Sequence, residues 1–230
     1  MTAALGWGAL AASSLVLGAL LGLARHWSDR VVGIVLAFGA GALISAVSFD
    51  LFEEGLRIGR TLAVAIGLAA GALAYFVFDR LVERVATGAG PSLALGALLD
   101  GIPEQAVLGI GIASGEGVSV SLLAAIFVSN LPEAIGASSE LRESGWRPAR
   151  IQVLWLVVFL VCVLATIAGY AIADAAGNDL RAGINGFAAG ALLVMLVDSM
   201  IPEAREKAGL SAGLVTVAGF ALGAGLSGLT

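Results

Sequence analysis

The sequence predicts an all-α integral membrane protein of eight transmembrane helices, and three observations carry that expectation. Hydrophobic residues make up 59% of the 230 residues and charged residues only 13%, against roughly 25% charged in an average soluble domain. Eight apolar stretches approach the length of about 20 residues that a helix needs to cross the hydrocarbon core. Short polar connections separate them, and no segment large enough for a soluble domain is left over, so residues 1–230 read as a single transmembrane domain.

The first span covers 3–24. Met1, Thr2, Ala3 and Ala4 place no positive charge ahead of it, so it reads as a retained helix and not a cleaved leader. The remaining spans fall at 31–53, 61–79, 91–113, 118–139, 150–173, 182–204 and 209–228. The 32 glycines are scattered through them in small-residue patterns such as Gly67 with Gly71, which let helix backbones approach closely. Trp7, Trp146 and Trp155 stand near span ends, as an aromatic belt expects, and His26 beside Trp27 reads as an interfacial anchor rather than a metal site. Cys162 is the single cysteine, so it has no disulfide partner in the chain and reads as packing.

Orientation follows from the basic residues, because Lys and Arg near span ends are retained in the cytoplasm. The odd connections hold nine of them and the even connections three, Arg57, Arg60 and Arg181. Both termini are therefore expected on the extracytoplasmic side of a plasma-membrane protein. An internal repeat is also visible: residues 38–55 align without gaps on 187–204, with Phe38, Gly41, Ala42, Leu43 and Glu54 matching Phe187, Gly190, Ala191, Leu192 and Glu203. In the expected topology the two copies run in opposite directions. That predicts a 3+2+3 arrangement, with helices one to three and six to eight as an inverted repeat around helices four and five.

Several function classes are excluded at this point. The net charge of -5 is spread thinly, without the basic tract that nucleic acid would need. No phosphate-cradling loop appears, and no span pairs an acid with the His-x-x-His or Ser-Lys pattern of a membrane hydrolase. The chain is not expected to be an enzyme or to hold an organic cofactor; its partners are the lipid bilayer and small ions.

The informative residues are the intramembrane acids, because a carboxylate at mid-membrane costs about 2.5 to 3.5 kcal/mol and needs a bundle interior, a partner or a bound cation. Helix four carries Asp100-Gly101-Ile102-Pro103-Glu104 and helix five carries Ser129-Asn130-Leu131-Pro132-Glu133, each near the middle of its span. Spacing by four puts Asp100 beside Glu104, and Ser129 beside Glu133, on one helix face. Pro103 and Pro132 remove a backbone donor each, so kinks are expected there, with the carbonyls of Leu99 and Val128 freed. Every Lys and Arg falls in a connection, which leaves a mobile cation as the natural partner of these acids. The candidate metal ligands are Asp100, Glu104, Ser129, Asn130 and Glu133. Asp50, Glu54, Gln105, Asp198 and Glu203 are candidate pathway residues, while Glu53 is the weakest acid in helix two. Glu116, Glu140, Glu143 and Glu206 lie at or beyond span ends and read as solvated.

At these residues the chain resembles the ZIP (Zrt/Irt-like) family of divalent-metal transporters, whose helices four and five carry a His-Asn-x-Pro-Glu type motif and a similar Pro-Glu motif. By position, Asp100 stands where the family has its helix-four His, Gly101 where it has Asn, and Glu104 is the motif carboxylate. Ser129, Asn130 and Glu133 occupy the metal-facing positions of helix five, residues 45–49 cover the contributing segment of helix two, and Glu203 falls near the acidic exit position of helix seven. The chain departs from the family in having no transmembrane histidine, and helix six offers only Gln152, Cys162 and Thr166 in place of a carboxylate. A divergent, bacterial-type member with one metal site is the expectation, without a histidine-rich regulatory loop, since residues 80–90 form a short connection.

The resemblance implies import of metal into the cytosol and a homodimer. Oxygen ligands suit manganese and iron, and carboxylates also bind zinc, so the expected cargo is a divalent transition metal, Zn, Mn or Fe. Two other readings fit the same residues: a non-transporting scaffold or metal sensor that keeps the fold, and a proton-coupled carrier of another solute.

Overall fold

The computed structural model describes residues 1–85, 89–113 and 118–227. Glu116 and residue 228, the expected end of the eighth span, lie outside them. The described residues fold entirely into helices: α1 (Thr2–Ala24), α2 (Asp29–Ile58), α3 (Thr61–Val85), α4 (Ala89–Ala113), α5 (Val120–Glu143), α6 (Pro148–Asp174), α7 (Asn178–Ala208) and α8 (Ser211–Ser227). The first seven contain stretches long and apolar enough to cross a membrane, and α8 is an apolar helix of 17 described residues.

Most of these helices outrun the apolar windows because charged residues extend their ends. α7 starts four residues before 182, with Asp179 in its first turn, and ends four after 204, with Arg205 and Lys207 in its last. Acids at a helix start and bases at its end match the helix dipole. Ser119 caps α5 by accepting the Leu122 N–H at 3.1 Å. The Arg181 guanidinium donates to the terminal carbonyls of α4 and α6, Ala113 at 2.6 Å and Ala173 at 2.7 Å. Gly145 and Gly209 adopt left-handed backbone (φ 89° and 65°) in the tight turns after α5 and α7, where a side chain would be strained.

Packing follows the small residues, since between membrane helices close backbone approach replaces the hydrophobic drive. α2 lies along α8, α3 along α7, α1 along α5 and α6, and α4 along α6. Glycines set these contacts: a methyl group on Gly41 would overlap the Thr216 carbonyl of α8, and one on Gly190 the Leu68 carbonyl of α3. Gly67 and Gly71 of α3 abut the backbone of α7 in the same way, at Gly183 and Phe187.

α2 and α7 each contain a π-helical segment, Val47–Glu53 and Leu196–Met200. Residue 47 aligns on 196 in the sequence repeat, so the wide turn begins at the same place in both copies. Such widened turns re-aim the side chains that follow them and recur at functional sites. α4 and α5 run through Pro103 and Pro132 as continuous helix.

Trp155 and the basic residues differ from the sequence expectation: of the Lys and Arg residues, only Arg25, Arg60 and Arg147 lie outside the helices. Trp155 is not part of an interfacial belt; it is 2% exposed in a core with Leu15, Leu141 and Ile151. α6 begins at Pro148, two turns before it, which carries the indole into the bundle. Lys207 is not a connection residue: with α7 extended to Ala208 it lies on the helix, one turn beyond Glu203.

Candidate metal-ion site

Four carboxyl residues from three helices border one small cavity of about 20 Å³: Asp100 and Glu104 from α4, Glu133 from α5 and Glu203 from α7. Ser129, Ser199, Leu36, Met195 and Met200 complete its wall. The i,i+4 spacing within α4 and within α5 aims each pair at the same side, and the α4 and α5 faces meet there.

The carboxylates are held differently. Glu104 is 2% exposed and accepts from Ser129 Oγ at 3.1 Å through Oε1 and from Asn130 Nδ2 at 2.9 Å through Oε2. Asp100 accepts from the Tyr75 hydroxyl of α3 through Oδ1 and from Ser199 Oγ of α7 at 3.3 Å through Oδ2. Hydroxyl and amide donors at the cavity go to Asp100 and Glu104; Glu133 receives no hydrogen bond among the described residues. Glu203 Oε1 lies 2.7 Å from Lys207 Nζ. Four like charges around one small space repel one another, and a cation or bound protons relieve that repulsion.

Asn130 supports Glu104 and does not itself border the cavity; its Oδ1 is buried without a partner among the described residues. Among the described residues, no three His, Cys, Asp or Glu side chains converge tightly enough to hold a metal ion as they stand. A methyl group on Gly101 would sit 2.9 Å from Cys162 Sγ. The thiol of α6 thus fills the space beside the position where the motif has Asn.

The candidate pathway residues separate into two groups. Asp50 and Glu54 border a second cavity, of about 550 Å³, at the end of the bundle expected to face outside. There Asp50 Oδ2 accepts from Ser121 Oγ at 2.7 Å and Ser119 Oγ at 3.1 Å, and Glu54 pairs with Arg57 at 2.7 Å. Gln105 and Asp198 border neither cavity. Gln105 is turned the other way on α4 and accepts from the Thr166 hydroxyl of α6 at 2.7 Å, while Asp198 is exposed on the outer surface of α7. Its neighbour Ser199, within the widened turn Leu196–Met200, faces inward and donates to Asp100.

Sequence reasoning passed over Tyr75, Ser199, Ser121 and Lys207. Two of them carried a legible signal: Tyr75 is the single tyrosine of an otherwise apolar stretch, and Ser199 lies four residues before Glu203, one helical turn away.

The helices and buried acids define a polytopic membrane protein with a polar centre. Residues 92–230, which take in α4 to α8, match the family model described as ZIP Zinc transporter. The chain is also 30% identical over 189 residues to an Arabidopsis thaliana protein that bears the name of a zinc transporter. That match covers 76% of this chain and 30% of the relative, so the chain spans less than a third of the relative's length. The chain belongs to the ZIP family, whose members are metal transporters and not enzymes.

Proposed function

We propose that the chain carries divalent transition-metal ions, of the zinc, manganese or iron class, across the plasma membrane toward the cytoplasm through the cavity between α4, α5 and α7. One observation carries the reading: Asp100, Glu104, Glu133 and Glu203 border a space of about 20 Å³, of the order that holds one water molecule or small ion. Glu133, without a hydrogen bond, is the carboxylate most available to an arriving cation. Glu104 and Asp100 exchange hydroxyl donors for the metal, and Asn130 keeps Glu104 aimed. The large cavity at Asp50 and Glu54 supplies the way in, and Glu203 stands on the way out.

The repeats serve as the moving bodies in this reading, in a 3+2+3 arrangement. Its support is the likeness of contacts: α2 packs on α8 as α7 packs on α3, and α1 packs on α5 as α6 packs on α4. The basic residues favour both termini outside, and the family likeness implies import and a homodimer. Zinc is the first ion to test, given the family and the relative's name.

The test is uptake of zinc and manganese into proteoliposomes. Glu104→Ala and Glu133→Ala should each reduce uptake to the background of empty vesicles while the purified variants stay folded. Wild-type rates in both variants would reject the mechanism. A second reading, a scaffold or sensor that keeps the fold, is favoured by the lack of a tight three-ligand cluster among the described residues. It predicts no uptake by the wild-type protein itself.

A further inference from the structure

Lys207 lies in a slot built for it. Its stem crosses Gly33 of α2, where an added methyl group would come within 2.6 Å of Lys207 Cβ, and its ammonium lies over Gly136 of α5, 3.2 Å from a methyl group added there. The side chain is 17% exposed, less than that of its partner Glu203 at 37%. A solvent-facing i,i+4 pair has no use for such a slot, since long basic side chains keep their charge in water when they can. Gly136 lies one helical turn beyond Glu133, so the ammonium sits one turn from the central acids. Glu140 of α5 and Asp29 of α2 also favour its charge electrostatically, beside the direct pair with Glu203 of α7.

We propose that Lys207 is a tethered substitute for the departing metal ion: its ammonium occupies Glu203 at the inner mouth of the cavity and competes with a divalent cation for that carboxylate. The proposal rests on the carrier reading above. An ammonium is a compact point charge on a flexible stem, so it can swing off Glu203 when a divalent ion arrives and return when the ion has left. Between ions it closes the inner end, and it keeps Glu203 from holding metal too firmly to release it.

The test is calorimetric titration of the full chain in detergent with zinc chloride and, separately, manganese chloride. Lys207→Met removes the competing charge and should tighten binding by roughly fivefold or more. Lys207→Gln is the second variant, because its amide still bonds Glu203 if the methionine variant does not fold. In a Glu203→Gln background the same substitutions should change binding less than twofold. Unchanged or weaker binding in the Lys207 variants overturns the proposal, as does equal tightening in the Glu203→Gln background. Wild-type protein that binds neither metal overturns the carrier reading and this proposal with it; wild-type binding without a Lys207 effect overturns this proposal alone.

Discussion

Asn130 of α5 donates its side-chain amide across the helix interface to Glu104 Oε2 of α4, at 2.9 Å, with both residues almost wholly buried. Truncating the donor leaves that buried oxygen only a long contact with Ser129 Oγ at 3.4 Å, and an under-satisfied buried acceptor costs about 1–3 kcal/mol. Asn130→Ala is therefore expected to lower the thermal midpoint of the purified protein by several degrees. Zinc should restore part of the loss, because a cation supplies the missing partner.

Tyr75→Phe keeps the ring and deletes only the hydroxyl that donates to Asp100. One Asp100 oxygen is then released to the cavity. Zinc binding should tighten by about 0.5–1.5 kcal/mol, the net worth of an ordinary hydrogen bond, as read by titration. Weaker binding would mean that Tyr75 holds Asp100 in the productive pose and does not compete for it.

Binding of metal to the folded protein alone raises its stability, by about 2.7 kcal/mol at one hundred times the dissociation constant. Zinc should thus raise the unfolding temperature of the wild type, and a chelator should reverse the gain. Glu104→Gln and Glu133→Gln should abolish the shift, whereas Asp198→Asn, on the outer surface of α7, should keep it.

Gly41→Ala drives a methyl group into the Thr216 carbonyl, while a methyl group on Gly6 meets nothing within 4 Å. Overpacking of this kind costs about 1–3 kcal/mol, and a glycine replaced without strain gains about 0.4–1 kcal/mol. Thermal unfolding in detergent should separate the two variants in opposite directions from wild type.

The all-helical class was legible because the spans are set by hydropathy, a local property of the chain. The four central positions Asp100, Glu104, Ser129 and Glu133 were legible for a related reason: a polar group in an apolar helix is conspicuous, and the i,i+4 rule places it on a face without knowledge of the neighbours. What the sequence hid depends on helix ends and on rotation about the helix axis. Lys207 read as a loop residue because hydropathy windows stop at charges, whereas the helix continues to a capping glycine. Asp198 stood out as an acid in an apolar stretch, but its side chain is exposed, and Ser199, one helical turn before Glu203, faces Asp100 instead. Gln105 shares a helix with Glu104 but not a face, and a face is set by rotation about the axis, not by adjacency in the chain.

The carbonyl-on-glycine contacts at Gly41 and Gly190 also bear on how the molecule can move. Neither helix of such a pair can roll or slide by a fraction of a turn without pushing one main chain through the other. α2 with α8, and α3 with α7, therefore act as two stiff struts that tie one repeat to the other, so in the carrier reading the repeats rock together against α4 and α5.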